Sequence, residues 1–103
     1  MKVVFTAHAR EDIEQRFAYS VEHFGHAAAE RLFQRVDAFI TKTLAWFPFT
    51  GQAHPSGVLE SWVPKTPFFV IYRVDKTTAT LTVLAVYHHA QDRSAFREDT
   101  DEH

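Results

Sequence analysis

A chain of 103 residues, 46% hydrophobic, 23% charged and without cysteine, fits one small globular domain and excludes disorder, disulfide scaffolds, thiol nucleophiles and Cys-ligated zinc. The net charge of −2 is unevenly spread: residues 1–90 carry nine Lys/Arg and eight Asp/Glu, residues 91–103 two and five. The nearly neutral body argues against a general grip on polyanions, the lack of a long apolar run argues against a membrane span, and a cytoplasmic protein is expected.

Residues 2–6, Lys-Val-Val-Phe-Thr, read as a first strand, with Thr6 able to cap a helix beginning directly after it and Glu11 and Asp12 placed near the positive end of that helix's dipole. Ala9, Ile13, Phe17, Val21 and Phe24 recur at helical spacing, and Gly25 suits a stop. A second stripe, Ala29, Leu32, Phe33, Val36, Phe39, Ile40, Thr43, Leu44 and Phe47, predicts another helix ended by Pro48 and Gly51. The connection at Gly25-His26 is so short that the two helices must pack as an antiparallel hairpin. Residues 47–57 read as loop. Strands are predicted over 58–63, 68–74 and 79–88, the last two joined by the turn Asp75-Lys76-Thr77-Thr78. Strict alternation along the last strand sets Leu81, Val83, Ala85 and Tyr87 on one face, and Thr80, Thr82, Leu84, Val86 and His88 on the other. The expected fold is α+β in the order β-α-α-β-β-β: an N-terminal strand, a helical hairpin, then a three-stranded antiparallel sheet with the helices on one face. Residues 1–93 form the domain and the acidic residues 94–103 a flexible tail.

Catalytic motifs are missing: there is no phosphate loop and no nucleophile elbow. No cofactor is implied. His23 and His26 have a metal-like spacing, but Gly25 between them breaks the helix that would align them, so no metal site is expected. His8, His54 and His103 have no evident partner. His88-His89 ends a strand, and because adjacent strand residues face opposite ways, one pocket can use only one of the two. Such a histidine suits general acid–base chemistry with Arg73 steadying a phosphate; equally, one imidazole packs under the helices and the other meets solvent. Trp62, on a short strand flanked by prolines, is either a contact site or a core extension.

Several blocks resemble the RelE/ParE superfamily of bacterial toxin–antitoxin proteins (plasmid stabilisation proteins), and its ParE branch more closely. These are residues 5–13 entering the first helix, Ala27-Ala28-Ala29-Glu30-Arg31-Leu32, Phe47-Pro48 with Gly51, Val70-Ile71-Tyr72-Arg73-Val74, and Val83 to Arg93. The last two blocks are the most specific. The resemblance implies a toxin neutralised by a cognate ParD-like antitoxin, in a hetero-oligomer without membrane or sequence-specific nucleic-acid contacts. ParE-branch members poison DNA gyrase without catalysing a reaction of their own, and Tyr87, His88, His89, Gln91, Asp92 and Arg93 are then the target-binding candidates. RelE-branch members cleave mRNA on the ribosome, a reading in which His88 or His89 and Arg73 would be catalytic. Here Phe69 stands where ribonucleases of that branch carry an arginine, and Phe96 is present in place of a tyrosine. Glu60 occupies a position where many ParE-like chains have arginine, which motivates a third reading, a decayed toxin that only binds its antitoxin. A free sheet edge and a helix-hairpin groove invite the antitoxin, with Trp62, Phe68, Phe69, Tyr72 and Arg73 as its candidate contacts.

Overall fold

The computed structural model describes residues 1–89; Gln91, Asp92, Arg93 and the acidic tail lie outside them. Strand β1 (Lys2–Phe5) leads into helix α1 (Ala7–Phe24) through Thr6, whose hydroxyl accepts the Ala9 N–H at 3.0 Å. That is an N-cap, as the sequence leads one to expect. Glu11 and Asp12 fall beyond the first turn of α1, so the expected dipole role passes them by. Gly25, at φ +89°, ends α1 and starts α2 (His26–Ala38), giving a hairpin with no separate loop. A positive φ of this kind is costly for any residue with a Cβ. Phe17 meets Phe33 edge-on across the hairpin, 5.7 Å between ring centroids.

The second helical stripe holds only in part. After Ala38 the backbone widens into a π-helical segment, Phe39–Leu44, and helical backbone continues to residue 46. Ile40 and Leu44 stay inward, but Phe47, expected on the stripe, is exposed beside an exposed Trp46. Pro48 is the physical reason, because the residue before a proline is pushed out of helical geometry.

Strands β2 (Gln52–Ala53), β3 (Leu59–Trp62), β4 (Phe68–Asp75) and β5 (Thr80–His88) complete one five-stranded sheet in the order β1-β5-β4-β3-β2. The α+β class is as expected; the strand count is not. β1 joins the sheet edge parallel to β5, with both helices and three strands between the two in sequence, and the two-residue β2, inside the segment read as loop, pairs with β3.

The alternation predicted for β5 also fails midway. Ile71 pairs with Ala85 but Tyr72 with Val83, so Leu84 is an extra residue, a β-bulge. Leu81, Val83 and Val86 therefore pack toward the helices with Phe68, Val70, Tyr72, Ile40 and Leu44. Ala85 and Tyr87 instead join Val58 and Ile71 on the opposite face. The bulge leaves backbone groups without ladder partners, and α1 supplies them. Thr6 Oγ1 donates to the Leu84 carbonyl at 3.3 Å, and the Val86 N–H donates to Asp12 Oδ2 at 3.0 Å. The start of α1 is thus fastened to the strand that carries the histidine pair.

Candidate functional site at the open end of the central hairpin

β4 and β5 end together where Phe68 opposes His88. The His88 ring stands edge-on to Phe68, 5.8 Å between centroids. Because the strand stops at His88, His89 escapes the alternation rule and its ring stacks on His88 at 4.5 Å, while its N–H donates to the Pro67 carbonyl at 2.8 Å. The two rings are thus neighbours, but only His88 lines the cavity described next.

α1 and α2 bring further groups to this end. Arg16, Tyr19, Ser20 and Phe24 from α1, Leu32 from α2, and Pro67, Phe68 and His88 from the sheet enclose a cavity of about 350 Å³. Its walls are mostly apolar, and no carboxylate is among the lining residues. The Ser20 hydroxyl donates back to the Arg16 carbonyl at 2.9 Å, as a helical serine commonly does. Arg16 Nε is buried and meets no hydrogen-bond acceptor among the described residues. Burial first, then the charges of His89 and Arg16, lower the pKa of His88 below the ordinary 6.5, favouring the neutral ring.

The residues named from sequence are scattered by this geometry. Arg73 is exposed and opposes Thr82, five residues along β4 from Phe68, which is about 17 Å at strand rise. It also alternates onto the opposite face of β4 from Phe68. His88, His89 and Arg73 therefore do not form one catalytic set. Tyr87 is buried on the second face, its ring nearly parallel to Phe69 at 6.0 Å. Trp62 is half exposed, and its indole N–H donates to the Thr66 carbonyl at 2.8 Å. Tyr72 is fully buried: its hydroxyl donates to the Pro48 carbonyl at 2.7 Å and accepts the Gly51 N–H at 3.2 Å. It offers an antitoxin no surface, which corrects that expectation. Phe68, also placed among the antitoxin contacts, is a core residue that lines the cavity. Glu60 is buried against His54, with 2.9 Å between Oε1 and Nε2, so its side chain is turned to a neighbour within its own sheet edge.

Sequence reading missed Arg16, Tyr19 and Ser20. The available signal was their spacing of three and four with Phe24, which puts a cation and two rings on one helix flank beside the apolar stripe. His23 stacks on Tyr19 at 3.8 Å and His26 meets Phe17, so the suspected metal pair is drawn to different neighbours. Among the described residues, no group of three His, Asp or Glu side chains comes together to hold a metal, and no helix is long and apolar enough to cross a membrane.

Residues 3–93 match the family described as ParE toxin of type II toxin–antitoxin system, parDE. No curated protein matches the chain. Among solved structures, a chain of the chromosomal ParDE toxin–antitoxin system from P. aeruginosa superposes with a TM-score of 0.70 at 22% identity, covering 85% of this chain and 95% of that one. A chain of the toxin–antitoxin complex RelBE2 from Mycobacterium tuberculosis gives 0.63 at 23% identity, covering 84% and 95%. The isolated E. coli RelE toxin gives 0.54 at 12% identity, covering 98% and 96%.

Proposed function

The chain belongs to the ParE toxin family of type II toxin–antitoxin systems, and we propose that it arrests growth in the bacterial cytoplasm by binding and poisoning DNA gyrase until a ParD-like antitoxin neutralises it. The observation that carries this choice within the superfamily is the separation of Arg73 from the histidine pair, about 17 Å along the strand and on the other face. A ribonuclease needs acid–base and phosphate-holding groups around one scissile bond, and the set suggested by sequence cannot meet there. The nearly neutral body supports the same reading, since ribosomal RNA selects for strongly basic surfaces. In this reading His88, His89, Gln91, Asp92 and Arg93 contact the target, Tyr87 is withdrawn from the expected set because its side chain is buried against Phe69, and Trp62, Phe69 and Arg73 remain candidates for the antitoxin.

One observation favours the ribonuclease alternative. Arg16 lies close enough to His88 to act on its protonation, so a cation and an imidazole do share the cavity. Expression of the chain without its antitoxin separates the two. Gyrase poisoning raises a DNA-damage reporter as growth stops and accumulates cleaved DNA in a purified gyrase reaction. Growth arrest with a silent reporter and cut mRNA overturns the proposal, and loss of that cutting in His88→Ala would assign the alternative. Expression without growth arrest would point to the decayed toxin.

A further inference from the structure

We propose that Asp12, together with Thr6, is a positioning residue for the target-binding end of β5: by holding the bulge at Leu84 it turns His88, and not Tyr87, toward the cavity. What that end does rests on the gyrase reading, whereas its placement rests on the strand pairing alone.

Two registers compete for the last residues of β5. A regular ladder continuing from the Tyr72–Val83 pair would set Leu84 opposite Ile71, Ala85 opposite Val70, Val86 opposite Phe69 and Tyr87 opposite Phe68. The structure instead sets each of those β4 residues opposite the next residue along, Ala85, Val86, Tyr87 and His88 in turn. A slip of one residue sends every side chain to the other face of the sheet. The bulge therefore places Val86 in the core with Val70 and Phe68, and lays Tyr87 against Phe69. It also brings His88 edge-on to Phe68 in the cavity wall. In the regular register Tyr87 would stand there, and His88 would turn to the second face.

The apolar pattern does not choose between the two, since Leu84, Ala85, Val86 and Tyr87 follow one another without a polar break, and a bulge disrupts the local ladder. Helix α1 supplies the difference. The N–H of the fully buried Val86 donates to Asp12 Oδ2 at 3.0 Å, and the Leu84 carbonyl accepts from Thr6 Oγ1 at 3.3 Å. A buried amide left without an acceptor is costly, and a carboxylate is a stronger acceptor than a neutral group. Asp12 is steadied from its other side by His8, with 3.4 Å between Oδ2 and Nε2. Burial raises its pKa above 3.8, so the chain carries this acid against a desolvation cost. Thr6 already caps α1, so what Asp12 contributes here is to the bulge and not to the helix start.

NMR of the isotope-labelled toxin reports the register, and accumulation of cleaved DNA in a purified gyrase reaction reports the function. The parent should show ring contacts between His88 and Phe68 and a His88 pKa below the ordinary 6.5. In Asp12→Ala the contact should pass from His88 to Tyr87 and the His88 pKa should rise toward 6.5. Cleaved DNA should fall at least about fivefold, the scale on which losing one hydrogen bond shifts a two-state ratio. Asp12→Asn keeps an oxygen for Val86 and should retain all three readouts. Deletion of Leu84 makes the pairs Tyr72–Val83 and Ile71–Ala85 consecutive in a regular ladder, so Asp12→Ala placed in that background should leave His88 against Phe68. This background keeps the test decisive where Asp12→Ala alone fails to fold. An Asp12→Ala chain that folds with the His88–Phe68 contact intact would overturn the assignment. So would an Asn variant that behaves as the Ala variant does, or a deletion background in which Asp12→Ala still displaces His88. A parent inert toward gyrase whose ring contacts and titration follow these expectations sinks the target reading alone.

Discussion

A phenol inside an apolar core is tolerated when its hydroxyl is satisfied, and Tyr72 achieves this with a single loop. It donates to Pro48 and accepts from Gly51, while burial raises its pKa above the usual 10.0. Tyr72→Phe should leave both loop groups unmet and cost about 1–3 kcal/mol, read as a lower urea midpoint with an unchanged slope. Gly51 is constrained by space: a Cβ there would sit 2.6 Å from the Tyr72 hydroxyl and 2.8 Å from the Glu60 carbonyl oxygen. Gly51→Ala should therefore destabilise by a similar amount, and its cost should largely vanish in the Tyr72→Phe background only if the hydroxyl, and not the Glu60 backbone, is the harder obstacle. Asp12 obeys a different logic. Burial raises its carboxyl pKa above 3.8, only partly opposed by the Val86 N–H and by the charges of His8 and Arg16. The folded chain then holds a proton that the unfolded chain has released, so stability falls as pH rises from 3.8 through the folded value, and the charge is a net cost at neutral pH. Asp12→Asn keeps an oxygen for Val86 and removes the charge; its melting temperature at pH 7 should equal or exceed the parent's. Asp12→Ala, which strands the Val86 N–H, should lose about 1–3 kcal/mol. An Asn variant no better than the Ala variant would refute the account.

At the scale of elements, Thr6 joins three parts of the chain: it ends β1, caps α1 and donates to the bulge at Leu84. Removing the hydroxyl in Thr6→Ala should cost about 1–2 kcal/mol, the upper range for an N-cap, and Thr6→Ser should recover most of it in the same denaturation series. The cap itself was legible, because a threonine before a helical stripe is a local signal. So were both helices, the Gly25 junction and the β4–β5 turn, each written into a short window of sequence. The bulge was not. A period-two reading of residues 79–88 finds apolar residues on both faces and has no means of telling that Leu84 is surplus, since the deciding groups are Asp12 and Thr6, more than 70 residues away. The π-helical segment was hidden for a related reason: Ile40 and Leu44 keep a spacing of four in either helix type. The candidate site suffered most. His88 was visible as a histidine at a strand end, but its neighbours Arg16 and Ser20 come from another element, and Arg73, suggested as the cation that steadies a phosphate, is carried away along β4 and onto its other face.

The distribution of exposed aromatic surface over the whole molecule makes a demand on its behaviour in isolation. Tyr19 and Phe24 border the cavity beside His88, and Trp62 sits near the same end of the sheet, where it opposes Phe69. Trp46, Phe47 and Phe49 are exposed together after α2, with the Lys76 ammonium over the Phe49 ring, 5.2 Å from its centroid. Because Lys76 lies just past the far end of β4, this second group is at the opposite end of the hairpin from the cavity. Scattered apolar residues are normal on a protein surface, whereas grouped ones promote association. With a net charge of only −2, electrostatic repulsion between copies is weak. The toxin purified alone should therefore self-associate as its concentration rises, and its antitoxin complex should not. Trp46→Ser together with Phe47→Ser separates surface from fold. Both side chains are mostly in solvent, so the double variant should unfold within about 0.5 kcal/mol of the parent for each change, yet remain monomeric by light scattering at concentrations where the parent does not. A parent that stays monodisperse alone would show that these rings are not sticky. A double variant that still associates would shift responsibility to Tyr19 and Phe24 at the cavity and to Trp62 near the same end of the sheet.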